Sequence, residues 1–410
     1  MPVFVNSQLS DSYGEYIAPL TSLRFSCKIN AKSKRLTREN WSIMNIPPIP
    51  PVKVGIVGCG NISNIYFETA KRLDILEVAA CADLDLDRAR AKAAEHGVPK
   101  ACTVAEMLAD PEIQIVINLT IPKAHYDVCL AALNAGKSTY VEKPLSLTRE
   151  QGQELLRVAK EKNLKLGGAP DTFLGAGLQA CRKVIDDGLI GEPVAATAFM
   201  LCHGHETWHP DPEFYYKPGG GPMFDMGPYY LTALVALMGP ITRIAGSAQK
   251  ASSQRTVTSE PKNGQIITVE TPTHIAGTAD FLNGAVATLV MSFDTWASTL
   301  PPIEIHGTLG SMLVPDPNSF GGPVKVSRGG AGWEDVPLTH GYAENSRGLG
   351  VADMAYAIRE NRPVRAGGEL TYHVLEAMWG FLDSSEQSKY YLMQSTLERP
   401  AALPEHWPAE

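Results

Sequence analysis

The strongest constraint on the fold is an alternation that starts at Val52: an apolar run, a turn, a segment of helical period, then another apolar run. Val52–Val57, Leu76–Ala82, Ile113–Thr120, Ser138–Val141 and Leu164–Gly168 read as buried strands. Between them Asn61–Leu73, Asp85–His96, Ala124–Asn134 and Gln151–Lys162 read as helices, with Gly97 and Gly136 just past the ends of two of them. Strands and helices of these lengths in alternation fold as right-handed βαβ units around a parallel sheet covered on both faces.

The turn after the first strand reads Gly58-Cys59-Gly60-Asn61-Ile62-Ser63, a G-x-G-x-x-S pattern. In a dinucleotide-binding turn the first glycine permits the tight bend. The second lets the backbone approach a pyrophosphate at the positive end of the following helix. The third position needs only a small residue, which Ser63 supplies. Glycines in tight turns are common, so the pattern needs its second half, an acid closing the next strand about 20 residues on. Asp83 lies 20 residues after Ser63, directly behind Val78–Ala82. A carboxylate there suits the ribose hydroxyls of NAD and repels the 2′-phosphate of NADP, and no Arg or Lys follows it before Arg88. NAD is the expected cofactor, NADP the less favoured one.

The texture changes after Phe173. A helix over Leu178–Gly188 is followed by β-rich stretches at Pro193–His203, Ile241–Thr258, His274–Phe281, Ala285–Phe293 and Ile303–His306. Turn signals such as Asn283-Gly284 favour antiparallel hairpins among them. One apolar helix, Met226–Met238, interrupts this series, and two more, Val351–Glu360 and Tyr372–Glu386, follow it. The expected fold class is α/β. A Rossmann NAD-binding domain spans 52–172, and a C-terminal α+β domain with a large open, mainly antiparallel sheet spans 173–400, with a tail over 401–410.

Charge sets the beginning of the chain apart. Residues 1–43 carry six Lys/Arg and three acids, a local +3 within a total of −8, which leaves −11 for the rest. The run Ile46-Pro47-Pro48-Ile49-Pro50-Pro51 must be extended, because Pro fixes φ and pushes its predecessor out of the α region. Residues 1–51 therefore read as a poorly ordered extension and Pro-rich linker, with Met44 as an alternative start. The acidic body does not attract phosphate backbones or anionic lipid, so neither nucleic acid nor a membrane is an expected partner. No apolar stretch reaches the 18 or so residues of a membrane span, and the lead has no secretory signal pattern. Seven cysteines without a C-x-x-C pair suggest neither a disulfide framework nor a zinc site and fit a cytoplasmic protein.

The fourth strand runs into Glu142-Lys143-Pro144, which puts Lys143 at the carboxyl end of a parallel strand, where such folds bind ligands. Beyond Gly219-Gly220-Gly221, Asp225 and Tyr229 stand four apart, on one face at the start of the Met226–Met238 helix. Singly these are weak signals: a salt-bridged turn, an acid preferring a helix start, a core tyrosine. His203 and His205, at i and i+2 with His209 nearby, offer too few ligands for zinc, and no metal is expected. The loop Glu206–Tyr216 leads into the glycine run, which makes Trp208 and His209 candidates to stack on and hydrogen-bond to a substrate. Arg347, opening a C-terminal helix, is a further candidate.

Jointly, Gly58/Gly60, Asp83, Glu142-Lys143-Pro144 and Asp225/Tyr229 resemble the glucose-fructose oxidoreductase, inositol dehydrogenase and MocA family over roughly Lys53–Pro400. The resemblance extends to Thr120, Pro122 and His125, to Gly307-Thr308-Leu309-Gly310, and to the terminal helix with His373. It implies NAD(P)-dependent oxidation or reduction at a hydroxyl carbon of a sugar, polyol, glycoside or related diol, and homodimers or homotetramers formed through the C-terminal sheet. It also implies cofactor contacts from Gly58, Gly60, Asn61, Ile62, Asp83, Thr120, Pro122, His125, Glu142 and Lys143, with Lys143, Asp225 and Tyr229 catalytic. Many members have His where this chain has Tyr229; the Tyr form resembles the glucose-fructose oxidoreductase and dihydrodiol dehydrogenase branches.

A phenol near pKa 10 must fall by about three pH units to act as a base at neutral pH, which takes about 4 kcal/mol. A lysine ammonium about 4 Å away supplies about that much at an effective dielectric near 20. Tyr229 is therefore expected to take the hydroxyl proton, Lys143 to stabilise the alkoxide and Asp225 to hold one or both in position. Two alternatives share the fold: an NAD-using glycosidase and a non-catalytic nucleotide-sensing regulator. The regulator has no need of Lys143.

Overall fold

The apolar run Val52–Val57 forms β1, with all but Lys53 buried. In the computed structural model, which describes residues 49–407, it is the first element of a continuous βαβ series; the readings on 1–48 and 408–410 lie outside the described residues. The series runs α1 (Ser63–Ala70), β2 (Leu76–Ala82), α2 (Leu86–His96), β3 (Ala101–Cys102) and α3 (Val104–Ala109). It continues through β4 (Ile115–Asn118), α4 (Pro122–Asn134), β5 (Ser138–Val141), α5 (Arg149–Glu161) and β6 (Leu166–Gly168). The six strands are parallel in the order β3-β2-β1-β4-β5-β6. Strand order reverses between β1 and β4, and the ligand crevice opens above their carboxyl ends.

Local chemistry sets the helix ends. The Asp85 side chain accepts from the amides of Asp87 and Arg88 to start α2, and Gly97 at φ 71° closes it. A Thr103/Glu106 capping box starts α3. β3 and α3 are too short to show a periodicity, and the sequence pattern does not reveal them.

The second half begins with α6 (Ala176–Asp186), β7 (Pro193–Leu201), α7 (Gly221–Asp225), α8 (Gly227–Met238) and β8 (Ile241–Gln249). A small hairpin follows, β9 (Gln254–Thr256) with β10 (Ile266–Thr268), then β11 (His274–Phe281), β12 (Val286–Ser292), β13 (Ile303–Gly307) and β14 (Gly310–Val314). The last elements are β15 (Val324–Arg328), β16 (Glu334–Val336), α9 (Leu349–Glu360), α10 (Gly368–Gln387) and β17 (Tyr391–Leu392). Nine strands form one sheet in the order β16-β15-β14-β13-β7-β12-β11-β8-β17, antiparallel except for the β7/β12 pair.

The stretch expected as one strand over Ile241–Thr258 is broken. β8 ends at Gln249, and Ser252, whose hydroxyl bonds the main chain of Gln254 in both directions, turns the chain into the separate β9/β10 hairpin. Alternation along the large sheet buries Ala196, Ala198, Leu289 and Met291 and exposes Val286 and Thr288 on the other face. The helix α8 is buried along its whole length and packs with α10. The closing helices also return to the first sheet, where Gly168 N–H donates to Ala366 O at 3.1 Å. No helix among the described residues is long and apolar enough to cross a membrane.

Candidate active site

The glycine loop is built for close approach. Gly58 sits at φ +96°, and a Cβ there would lie 2.7 Å from the carbonyl carbon of Leu119, so no other residue fits. A Cβ on Gly60 would meet nothing within 4 Å, so the space above this loop is free to take a pyrophosphate. Ser63 is fully buried and its hydroxyl donates to Gly60 O at 2.7 Å, which ties the loop to α1.

Asp83 closes β2 beside this loop. Its Oδ2 accepts the Cys59 N–H at 2.8 Å, and its Oδ1 accepts the Asp85 N–H at 3.0 Å and lies 3.3 Å from Arg88 Nη1. Arg88 is turned onto this carboxylate, at the end of β2 beside the glycine loop. The loop and the acid therefore fit NAD.

On the other side of the switch point, Thr120, Pro122, Ile62 and Glu142 line a cavity of about 850 Å³ between the two halves of the chain. Glu142 is committed at both oxygens: Oε1 accepts from Tyr66 Oη at 2.7 Å and Oε2 from the Lys143 N–H at 3.0 Å. His125 does not face the crevice as a cofactor contact. It is fully buried beneath the two loops, with Nδ1 2.7 Å from Pro144 O and Nε2 3.0 Å from Thr120 O. Its place is to fix the loops that do.

Lys143 reaches from the end of β5 across the crevice to α7. Its Nζ donates to Asp225 Oδ1 at 2.9 Å and to the Asp225 main-chain oxygen at 2.8 Å. Asp225 does not start a helix with Tyr229. It is the last residue of α7, Met226 at φ −110° breaks the run, and Tyr229 lies in the first turn of α8. Pro228 accounts for the break, since it offers no N–H to continue the α7 hydrogen bonds and suits the first turn of a new helix. The two side chains still share the site: Lys143 Nζ lies 5.4 Å from the Tyr229 ring centre.

A residue outside the expected set completes the cluster. His205 Nε2 lies 2.8 Å from Asp225 Oδ2, so one carboxylate oxygen faces the ammonium and the other the imidazole. The residues between β7 and the glycine run bend away from a strand here, with His205 opening a short 3-10 turn. Tyr215, on the same loop, sets its ring edge-on to His205 at 4.1 Å and lines the cavity. The sequence signal is the His-x-His pair itself, which offers too few ligands for a metal and gives no sign of a carboxylate partner.

Electrostatics follow from this packing. Burial pushes the Asp225 carboxyl up, but the Lys143 ammonium and the His205 hydrogen bond outweigh it and hold it at about 2. Burial pulls the Lys143 ammonium down, yet Asp225 and Tyr229 keep it above its ordinary value, so it stays charged. Tyr229 departs from expectation. Burial raises its phenol, and the opposing charges of Lys143 and Arg347 do not overcome it. Burial is the largest influence, and the negative charge of Glu142 adds to it.

Arg347 lies 6.0 Å from the Tyr229 ring centre and lines the cavity, its Nη2 donating to Asn318 Oδ1 at 2.6 Å. The next residues are fixed by Asp171, whose Oδ2 accepts the N–H groups of Gly348 and Gly350 at 2.8 and 2.9 Å. Trp208 also lines the cavity and is 61% exposed. His209 does not line it. Its ring packs edge-on against Phe214 and Tyr215, and its Nδ1 accepts the Asp211 N–H at 3.0 Å.

Comparison with known proteins agrees with this geometry. Residues 52–168 match the GFO_IDH_MocA oxidoreductase family with its NAD-binding Rossmann fold, and residues 178–313 match the GFO/IDH/MocA C-terminal domain. The chain is 29% identical over 267 residues to 1,5-anhydro-D-fructose reductase of Ensifer adhaerens, a match covering 63% of this chain and 74% of that enzyme. It is 32% identical over 180 residues to trans-1,2-dihydrobenzene-1,2-diol dehydrogenase of Xenopus tropicalis, covering 43% of this chain and 54% of that enzyme, about half its length. The solved structure of levoglucosan dehydrogenase in complex with NADH and L-sorbose shares the fold at a TM-score of 0.73 and 19% identity, over 84% of this chain and 99% of that one. With both domains matched and the glycine loop, Asp83 and Lys143 in place, the chain belongs to the GFO/IDH/MocA family and is an NAD-dependent oxidoreductase.

Proposed function

We propose that the protein moves a hydride between NAD and a hydroxyl-bearing carbon of a sugar or polyol, with Lys143 and Tyr229 handling the oxygen and its proton. The observation that carries this reading is the buried Lys143–Asp225 pair set beside Tyr229, at the carboxyl end of β5 and within reach of the glycine loop. The names of the relatives support the substrate class, since they include an anhydrofructose reductase and a diol dehydrogenase.

Gly58, Gly60, Asn61, Ile62, Asp83, Thr120 and Pro122 hold the cofactor in this reading. Bound NAD supplies the hydride acceptor. The Lys143 ammonium donates to the substrate oxygen as it gains alkoxide character, and Asp225, braced by His205, keeps that ammonium aimed. Tyr229 exchanges the proton of the same oxygen. Its phenol is neutral at neutral pH, so it is ready to protonate a carbonyl oxygen during reduction, and in oxidation only its ionised fraction, the tyrosinate, takes the hydroxyl proton.

A panel of aldoses, inositols, anhydrosugars and glycosides with NAD and NADP, followed by NAD(P)H absorbance, tests the reading. Lys143→Met should abolish turnover while NAD binding persists; normal turnover by that variant would sink the assignment. Consumption of a glycoside without net NADH would assign the glycosidase alternative instead. Exposed Val286 and Thr288 on the open face of the large sheet support assembly of identical copies through that face. Sedimentation velocity of Val286→Glu against the parent chain tests it.

A further inference from the structure

The cavity has to hold the nicotinamide end of the cofactor, on the side of Ile62, Thr120 and Pro122, as well as the substrate. At about 850 Å³ it lies toward the upper end of the roughly 300–1,000 Å³ range that holds drug-sized ligands. Its outer wall is apolar and open to solvent, with Trp208 61% and Leu300 52% exposed.

One step beyond this wall stands Trp296, 81% exposed. It is not a loose surface residue. Its indole stacks on the His203 ring at 3.4 Å between centres and 13° between planes. His203 itself lines the cavity and is fixed by a β-bridge to Asp294, two residues before Trp296. The indole thus extends the cavity wall outward as a flat, rigidly backed platform. A large aromatic face held in place at the mouth of a cavity and left in water is suited to stacking on a ligand.

We propose that Trp296 forms an outer subsite that stacks a second sugar ring, so that the substrate is a disaccharide or other glycoside whose inner ring is oxidised at Lys143. A pyranose presents a face of C–H groups that suits an indole, and its hydroxyls project sideways into solvent. The outer ring then covers Trp296 and the inner ring passes Trp208 to reach Tyr229. The proposal rests on the sugar dehydrogenase reading and adds the length of the substrate to it.

The test compares Trp296→Ala, Trp296→Phe and the parent chain on matched probes: D-glucose against cellobiose and maltose, and D-galactose against lactose, each with NAD. Because Trp296 is exposed, the variants should fold, which circular dichroism and sedimentation check. The disaccharides should show the higher kcat/KM in the parent chain. Trp296→Ala should lower that value about 10-fold for disaccharides and leave monosaccharides unchanged, with Phe restoring most of the loss. Equal losses on both sugar lengths would mean that Trp296 merely braces His203, and no loss on either would remove the subsite. An altered sedimentation coefficient in Trp296→Ala would assign the indole to contact with a second copy of the chain. Any of these three results overturns the proposal while leaving the dehydrogenase reading intact. Absence of turnover on every sugar and polyol overturns both.

Discussion

His205 Nε2 and Lys143 Nζ grip the two oxygens of the same carboxylate, Asp225, at 2.8 and 2.9 Å. The aspartate is therefore a clamp that fixes two side chains, one from a C-terminal loop and one from the Rossmann domain, relative to each other. Asp225→Asn keeps the shape and removes the charge. It should lower kcat by about 10²-fold while the Kd for NAD changes less than twofold, since the glycine loop and Asp83 are remote from it. Steady-state kinetics and fluorescence titration with NADH check both numbers. His205→Ala should produce a smaller loss in kcat with the same unchanged Kd.

The clamp also predicts a pH dependence of stability. The Asp225 carboxyl sits at about 2 in the folded chain, below its ordinary value. Its contribution is therefore present above pH 4 and is lost as pH falls through about 2. Between pH 4 and pH 2 the parent chain should lose about 2 kcal/mol more stability than Asp225→Asn does, measured by urea unfolding at each pH. Parallel losses in the two chains would show that the pair gives no net stabilisation.

The raised phenol of Tyr229 fixes the direction of a second pH profile. If Tyr229 is the proton carrier, alcohol oxidation requires the tyrosinate, which becomes abundant only above pH 10. The rate of oxidation should rise with pH throughout the range from 7 to 10. Carbonyl reduction needs the neutral phenol and should stay flat over the same range. Tyr229→Phe should lower kcat about 10²-fold or more in both directions and flatten the oxidation profile. An oxidation rate independent of pH in the parent chain would exclude Tyr229 as the group that titrates.

How far the sequence reveals this site depends on the distance over which each residue acts. Gly58, Gly60 and Asp83 are legible because strand, turn and next strand lie within one βαβ unit, where spacing translates directly into geometry. The break between Asp225 and Tyr229 was also written locally, in Gly227-Pro228, but the i, i+4 spacing obscured it. Lys143 and Asp225 are 82 residues apart and meet only because two domains close on each other. His205 cannot be read as their partner from any periodicity, because it sits in an irregular loop. The raised phenol of Tyr229 is not legible for the same reason: pairing it with Lys143 alone leaves out the burial that opposes the ammonium and the nearby Glu142 charge.

The Asp83–Arg88 contact at 3.3 Å bears on cofactor choice. Asp83→Ser removes the negative charge beside the ribose site and releases Arg88 toward a 2′-phosphate. Two unit charges about 5 Å apart at an effective dielectric near 20 interact by about 3 kcal/mol. The ratio of kcat/KM for NAD over NADP should therefore fall about 10²-fold in Asp83→Ser. Rates with both cofactors at saturating substrate check this, and an unchanged ratio would mean that the adenosine end is read elsewhere.

The loop that carries His205 is held from behind by one arginine. Arg255, on β9, donates from Nη1 to Glu206 Oε1 at 2.7 Å and from Nη2 to Phe293 O at 3.2 Å, and it also pairs with Asp294. Glu206 accepts from Tyr216 as well, and its main-chain oxygen takes the Thr258 N–H at 2.9 Å. Both carboxylates are largely buried, the Glu206 side chain at 4% exposure, so removing the cation strands two negative charges in low dielectric. Arg255→Met should cost about 3–5 kcal/mol, the usual price of breaking a buried ionic cluster from one side, visible as a lower urea midpoint. Because the same loop seats His205 against Asp225, kcat should fall in that variant at temperatures where it is still folded, with the Kd for NADH unchanged. Arg255→Lys keeps the charge but loses the forked geometry, so it should recover most of the stability and less of the kcat. Full recovery of both by lysine would show that only the charge of Arg255 matters, and that its hydrogen bonds do not position the loop.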